Sequence, residues 1–181
     1  MFFNEFGMDL SEDNLHFLAQ RAFQTEYVLD YENRSLSWVE FNKNYLPNCE
    51  FTFWEWFYAI IRVLREDLAA FWAENKIAGF ISKQNSMKLL SYTSPGTFLL
   101  RFAESELGSI SISLSTNEGV FTLRPINLKN LHEKGLANCL HELPMLKTLY
   151  PNDSKDIAFC VNDTTLEIKN KENYLTWYYY N

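Results

Sequence analysis

The sequence predicts an α+β fold: a helical first part, then a small antiparallel sheet flanked by two helices. Three observations carry this. Apolar residues between Thr52 and Asn75 recur at helical spacing, residues 109–114 alternate with a period of two, and a helix–meander–helix order follows Gly79.

In the first part, Ser11 or Asp13 is suited to cap a helix with Leu15, Leu18, Ala19 and Ala22 as its apolar face. Ser35 or Ser37 opens a shorter segment around Trp38, Phe41 and Tyr45, stopped by Pro47. Phe53, Phe57, Ile60, Ile61, Leu64, Leu68, Phe71 and Trp72 then form one helical stripe, with Thr52 as N-cap. Trp54 and Trp56 add apolar area beyond it, so this helix is expected to pack on more than one neighbour.

The second part opens with a short helix over residues 82–90. Pro95-Gly96 marks a turn, and 97–102 reads as a strand. Ile110, Ile112 and Leu114 share one face of the next strand, and Asn117-Glu118-Gly119 turns the chain into a third over 120–123. Asn127 caps a last helix carrying Leu128, Leu131, Leu136 and Leu140, ended by Pro144.

Composition excludes several classes. A chain of 181 residues, 47% hydrophobic and 17% aromatic, can bury its own core and is not disordered. No apolar run approaches the roughly 18 residues of a membrane span, and the first residues lack a basic signal-peptide region. Cys49, Cys139 and Cys160 are odd in number and widely spaced, which predicts free thiols and no metal site. His16, His132 and His141 are equally scattered. The net charge of −7 lies entirely in residues 1–80, which hold six basic and thirteen acidic side chains, while 81–181 hold ten of each. Without a basic stripe, nonspecific nucleic-acid binding is not expected.

One residue asks for an explanation. In Thr97-Phe98-Leu99-Leu100-Arg101-Phe102, Arg101 shares a strand face with Leu99. A buried arginine is costly unless an anion meets it. That anion is either an Asp or Glu elsewhere in the chain or a group from outside. The loop Glu104-Ser105-Glu106-Leu107-Gly108 favours the second reading, because it offers a hydroxyl, backbone amides and a turning glycine that suit phosphate oxygens. Arginine supplies a planar fork that stays charged. The two carboxylates of the loop, Glu104 and Glu106, are expected to orient it or to face solvent.

Gly96-Thr97-Phe98-Leu99-Leu100-Arg101-Phe102 resembles the arginine-bearing strand of the Src-homology-2 (SH2) domain in the form found in STAT transcription factors. Phe51-Thr52-Phe53-Trp54-Glu55-Trp56-Phe57, Asn14-Leu15-His16-Phe17-Leu18-Ala19-Gln20 and Leu36-Ser37-Trp38-Val39-Glu40-Phe41 resemble the STAT linker domain. Ile77-Ala78-Gly79-Phe80-Ile81-Ser82-Lys83 resembles the entry to the SH2 domain. Leu146-Lys147-Thr148-Leu149-Tyr150-Pro151-Asn152 and Lys155-Asp156-Ile157-Ala158-Phe159 resemble its closing segment.

The resemblance implies a helical linker domain over 1–76 and an SH2 domain over 77–162, while the C-terminal tail over 163–181 departs from the family and reads from its own residues as a β-hairpin. It implies a cytoplasmic phosphotyrosine-binding module that shuttles to the nucleus, with no catalysis, cofactor, metal or membrane association. By analogy Arg101 grips the phosphate, Lys83 adds a second cation, and Ser105 and the loop backbone donate hydrogen bonds, with Glu104 at the matching acidic position. Partners would be tyrosine-phosphorylated peptides of receptors or STAT proteins. Tyr174 is the nearest candidate for a phosphosite of its own, which would allow a dimer by phosphotyrosine exchange; as the other reading, Tyr174 belongs to the hairpin. No DNA-binding domain precedes the linker, so nucleic-acid binding is not expected. The roles open to such a fragment or natural short form are adaptor, dimerisation module or decoy.

One position departs from the family. STAT proteins place a serine two residues after the strand arginine, and Ala103 stands there. A lost charge-assisted hydrogen bond is worth about 1.5–3 kcal/mol. The alternative function is accordingly a structural interaction module with a weakened phosphotyrosine pocket.

Overall fold

The computed structural model describes residues 10–160 apart from Glu26, Leu29 and Glu32. The expected tail hairpin and Tyr174 lie outside the described residues.

Ser11 caps helix α1 (Glu12–Ala22) by accepting the Asn14 amide proton. Ala19 is buried and Leu18 and Ala22 pack against the core as the apolar spacing predicts, but Leu15 is exposed and the buried face takes in Asn14 and Phe17 instead. The cause is Asn14. Its Oδ1 accepts the Phe80 N–H at 2.7 Å, and its Nδ2 donates to Ser11 Oγ at 2.7 Å and to the Ala78 carbonyl at 3.4 Å. A buried carboxamide whose partners are all in place fixes a helix face as firmly as a leucine would.

Ser37 and Glu40 form a capping box on the single turn α2 (Trp38–Asn42), and Thr52 and Glu55 form another on α3 (Phe53–Val63). The predicted stripe does not continue as one α-helix. A π-helical turn (Leu64–Leu68) separates α3 from α4 (Ala69–Ala73). The wider turn lets Val63, Leu64 and Leu68 all be buried, and Trp72 still reaches the core.

Ser82 caps α5 (Lys83–Leu90). The central strand β1 (Thr97–Phe102) pairs antiparallel with β2 (Ile110–Thr116), which pairs antiparallel with β3 (Gly119–Thr122). Asn127 caps α6 (Leu128–Lys134), and Gly135, at φ +79°, breaks the expected single helix before α7 (Leu136–His141). Two strands of two residues each, β4 (Thr148–Leu149) and β5 (Asp153–Ser154), precede α8 (Lys155–Ala158). They extend the expected meander to a five-stranded sheet of order β3-β2-β1-β4-β5, and because β4 runs parallel to β1 the sheet is mixed.

Register separates the faces of this sheet. Phe98 pairs with Leu114, Leu100 with Ile112 and Phe102 with Ile110, giving one wholly apolar face. Leu99 pairs with Ser113 and Arg101 with Ser111 on the other. Helix α5 covers that second face, where Ser86 Oγ lies 2.9 Å from Ser113 Oγ.

The helical first part and the sheet share one core. Trp56 packs on Phe80 and Phe80 on Phe102, with ring centroids 5.9 and 4.8 Å apart. The segment before α5 docks along β1, with the Ala78 N–H on the Leu100 carbonyl and the Phe102 N–H on that of Gly79. Gly79 adopts φ +83°, and a Cβ there would stand 2.5 Å from Asn14 Oδ1 and 2.7 Å from the Trp72 ring. No helix among the described residues is long and apolar enough to cross a membrane.

Candidate functional site

Arg101, next to last in strand β1, is buried at 4% exposure. Its Nη1 donates to Glu104 Oε1 at 2.8 Å and, at 3.4 Å, to the Phe102 carbonyl. Its Nε is buried and has no hydrogen-bond partner. Burial pushes the guanidinium below its ordinary pKa, and Glu104 opposes that by charge and hydrogen bond. Of the two anions the sequence allowed, the internal one is present: a carboxylate three residues further on. It satisfies the arginine only in part.

Glu104 does more than pair with Arg101. The same Oε1 accepts the Lys83 backbone N–H at 3.1 Å. The carboxylate therefore sits where a strand arginine and the first amide of a helix converge, both of which favour negative charge. Lys83 itself is exposed on the first turn of α5, and Ser105 is exposed in the loop beyond Glu104. The structure thus gathers Arg101, Glu104 and the Lys83 backbone by direct hydrogen bonds, with the Ser105 hydroxyl one residue along the chain from Glu104. Ala103 is buried; its N–H goes to the Ser109 carbonyl at 2.9 Å, and its own carbonyl accepts Trp56 Nε1–H at 2.8 Å.

Sequence reasoning missed Arg21. From α1 its Nη2 donates to the Glu104 backbone carbonyl, and its guanidinium carbon lies 4.3 Å from the centroid of the Trp56 ring. Burial lowers its pKa, opposed by Glu104 and Cys49. The signal was the spacing Asn14, Phe17, Arg21, a helix face that is polar at both ends and so escapes an apolar search.

A mixed sheet carrying a buried arginine on its central strand, with a short polar loop and a helix N-terminus beside it and helices before it, is the architecture of an SH2 domain behind a helical linker. The comparisons agree. Residues 1–57 match the family model described as the signal transducer and activator of transcription linker domain, and residues 77–150 match that of the SH2 domain. The chain is 37% identical over 159 residues to the "Signal transducer and transcription activator" of Anopheles gambiae, covering 84% of this chain and 22% of that relative. The chain thus carries a linker domain of the STAT type and an SH2 domain, and spans about a fifth of the length of the relative it matches. An SH2 domain of this type is a phosphotyrosine-binding signalling module.

Proposed function

We propose that this chain binds tyrosine-phosphorylated segments of receptors or of STAT proteins through Arg101, with Lys83, Ser105 and the loop backbone completing the phosphate site. The observation that carries this reading is a guanidinium at 4% exposure whose Nε has no partner although Nη1 is held by Glu104. One carboxylate oxygen engages one edge of the fork. A phosphate with about two negative charges and three acceptor oxygens has the means to span both. Lys83, exposed at the first turn of α5, is placed for its flexible stem to bring a second cation. Plain tyrosine offers no such anion, so phosphorylation acts as the switch.

Binding also requires Glu104 to yield part of its hold on Arg101, since two anions on one guanidinium repel each other. On this reading Glu104 keeps the empty site ordered and gives way to the ligand. The test is fluorescence anisotropy of a labelled pool of phosphotyrosine peptides and of the same pool without phosphate. Saturable binding of the phosphorylated pool alone is expected; equal binding of both pools refutes the reading.

A dimer by phosphotyrosine exchange follows if Tyr174 is a kinase substrate, because each copy would then carry a ligand for the other. Incubation with an activated tyrosine kinase, intact-mass analysis, peptide mapping and light scattering test this. An unmodified Tyr174, or a modified chain that stays monomeric, removes the exchange dimer from the proposal.

A further inference from the structure

The loop that follows β1 is gripped from the linker side. Trp56 Nε1–H donates to the Ala103 carbonyl at 2.8 Å, and Arg21 Nη2 donates to the Glu104 carbonyl. Cys49 Sγ stands 3.7 Å from that same Glu104 oxygen. The two anchors are one unit, since the Arg21 guanidinium lies on the face of the Trp56 ring, at 4.3 Å. Two guanidinium groups from different parts of the chain therefore flank Glu104, Arg101 on its carboxylate and Arg21 on its backbone oxygen.

The consequence is directional. A trans peptide unit is planar, with its C=O and N–H on opposite sides. The Glu104 N–H shares a unit with the Ala103 carbonyl, and the Ser105 N–H shares one with the Glu104 carbonyl. With both carbonyls drawn to the linker, both amides point away from it, to the side where Ser105 is solvent-exposed and a ligand can approach. Successive amides facing one way form an anion-receptive concavity.

Resting on the phosphotyrosine reading above, we infer that Arg21 and Trp56 are positioning residues of the phosphate site, which aim the Glu104 and Ser105 amides at the phosphate, so that the linker domain is a working part of that site. Neither side chain touches the phosphate. Their effect passes through the loop backbone, and it joins phosphate affinity to the integrity of α1 and α3.

The test uses the full chain and its Arg21→Met variant, in which the side chain keeps an unbranched apolar stem but loses its charge and its donors. Phenyl phosphate serves as the minimal probe, followed in amide 1H–15N spectra, and a phosphotyrosine peptide gives the affinity. In the wild type the Glu104 and Ser105 resonances are expected to shift on adding phenyl phosphate. In Arg21→Met they shift little, and the peptide binds about tenfold more weakly, the loss expected when one charge-assisted hydrogen bond no longer orders its acceptor. A variant with wild-type shifts and affinity within about twofold overturns the inference and leaves the phosphotyrosine reading standing. A wild type that ignores phenyl phosphate and phosphopeptide alike overturns both. If Arg21→Met does not fold by circular dichroism, Trp56→Phe carries the same test, because it deletes the Nε1 donor and keeps a ring beneath Arg21; unchanged affinity there is equally fatal.

Discussion

Glu104 holds Arg101 from three positions along the chain, with Oε1 standing 2.8 Å from Nη1, and the same oxygen accepts the Lys83 N–H. The site thus carries its own anion when empty. Replacing Glu104 by Gln removes the competing charge but keeps an acceptor for the Lys83 amide. Phosphopeptide affinity is expected to rise about three- to tenfold, while unliganded stability falls by about 1–3 kcal/mol because the buried guanidinium loses its compensating charge. Thermal unfolding with and without saturating peptide checks both effects at once. Weaker binding by Glu104→Gln would show that the carboxylate helps to hold the ligand.

Ala103→Ser is expected to bind more tightly. The position is buried, and both backbone groups of Ala103 are already engaged, so an added hydroxyl is left to find a partner in the ligand. A charge-assisted hydrogen bond to phosphate improves Kd by about tenfold, and an unmet hydroxyl instead costs about 1 kcal/mol of stability with no gain in affinity. Parallel titration and denaturation distinguish the two outcomes.

The linker is tied to the sheet by Asn14 and Gly79. Asn14→Leu keeps the bulk but strands the buried Phe80 N–H, which should cost about 1–3 kcal/mol in chemical denaturation. Gly79→Ala should cost at least as much, since it adds a Cβ at φ +83° within 2.5 Å of Asn14 Oδ1. Losses under about 0.5 kcal/mol in both would mean that the two parts are not coupled through this contact.

Thiol chemistry should distinguish the three cysteines. Cys139 is buried and desolvation raises its pKa, whereas Cys160 is exposed. At neutral pH Cys139 therefore holds less thiolate than an ordinary thiol, and mass-resolved alkylation should label Cys160 first and Cys139 last. The sign for stability follows from the same shift: the unfolded chain loses the proton first, so the contribution of Cys139 falls as pH rises past the ordinary thiol pKa of about 8.5. Labelling of Cys139 as fast as Cys160 would contradict this.

Strand β1 and the burial of Arg101 within it were legible because an apolar alternating run leaves a charged residue conspicuous. Caps at Thr52 and Asn127 were legible, and Ser11 and Ser37 were each one of two candidates, because such side chains act locally; Ser82 reads as the first residue of its helix and is instead its cap. Strands β4 and β5 were not, since two residues carry no period. The π-helical turn preserved the apolar stripe while shifting its register, so the pattern looked like one helix. The orientation of α1 was set by a distant backbone amide meeting Asn14, and no apolar count contains that. Arg21 was hidden for the same reason: its meaning lies in the Glu104 carbonyl and the Trp56 ring, 83 and 35 positions away in the chain. The partner of Arg101 was hidden because strand periodicity ends at Phe102, just before Glu104.

The role of Arg101 is tested most directly by calorimetric titration of the chain and of its Arg101→Met variant with one peptide in phosphorylated and plain forms. The wild type should bind the phosphorylated form and ignore the plain one, and the variant should lose roughly a hundredfold or more in affinity, as expected when one partner of a buried charge pair is removed. A folded variant that binds phosphopeptide as tightly as the wild type, or a wild type that does not distinguish the two peptides, would contradict the assignment.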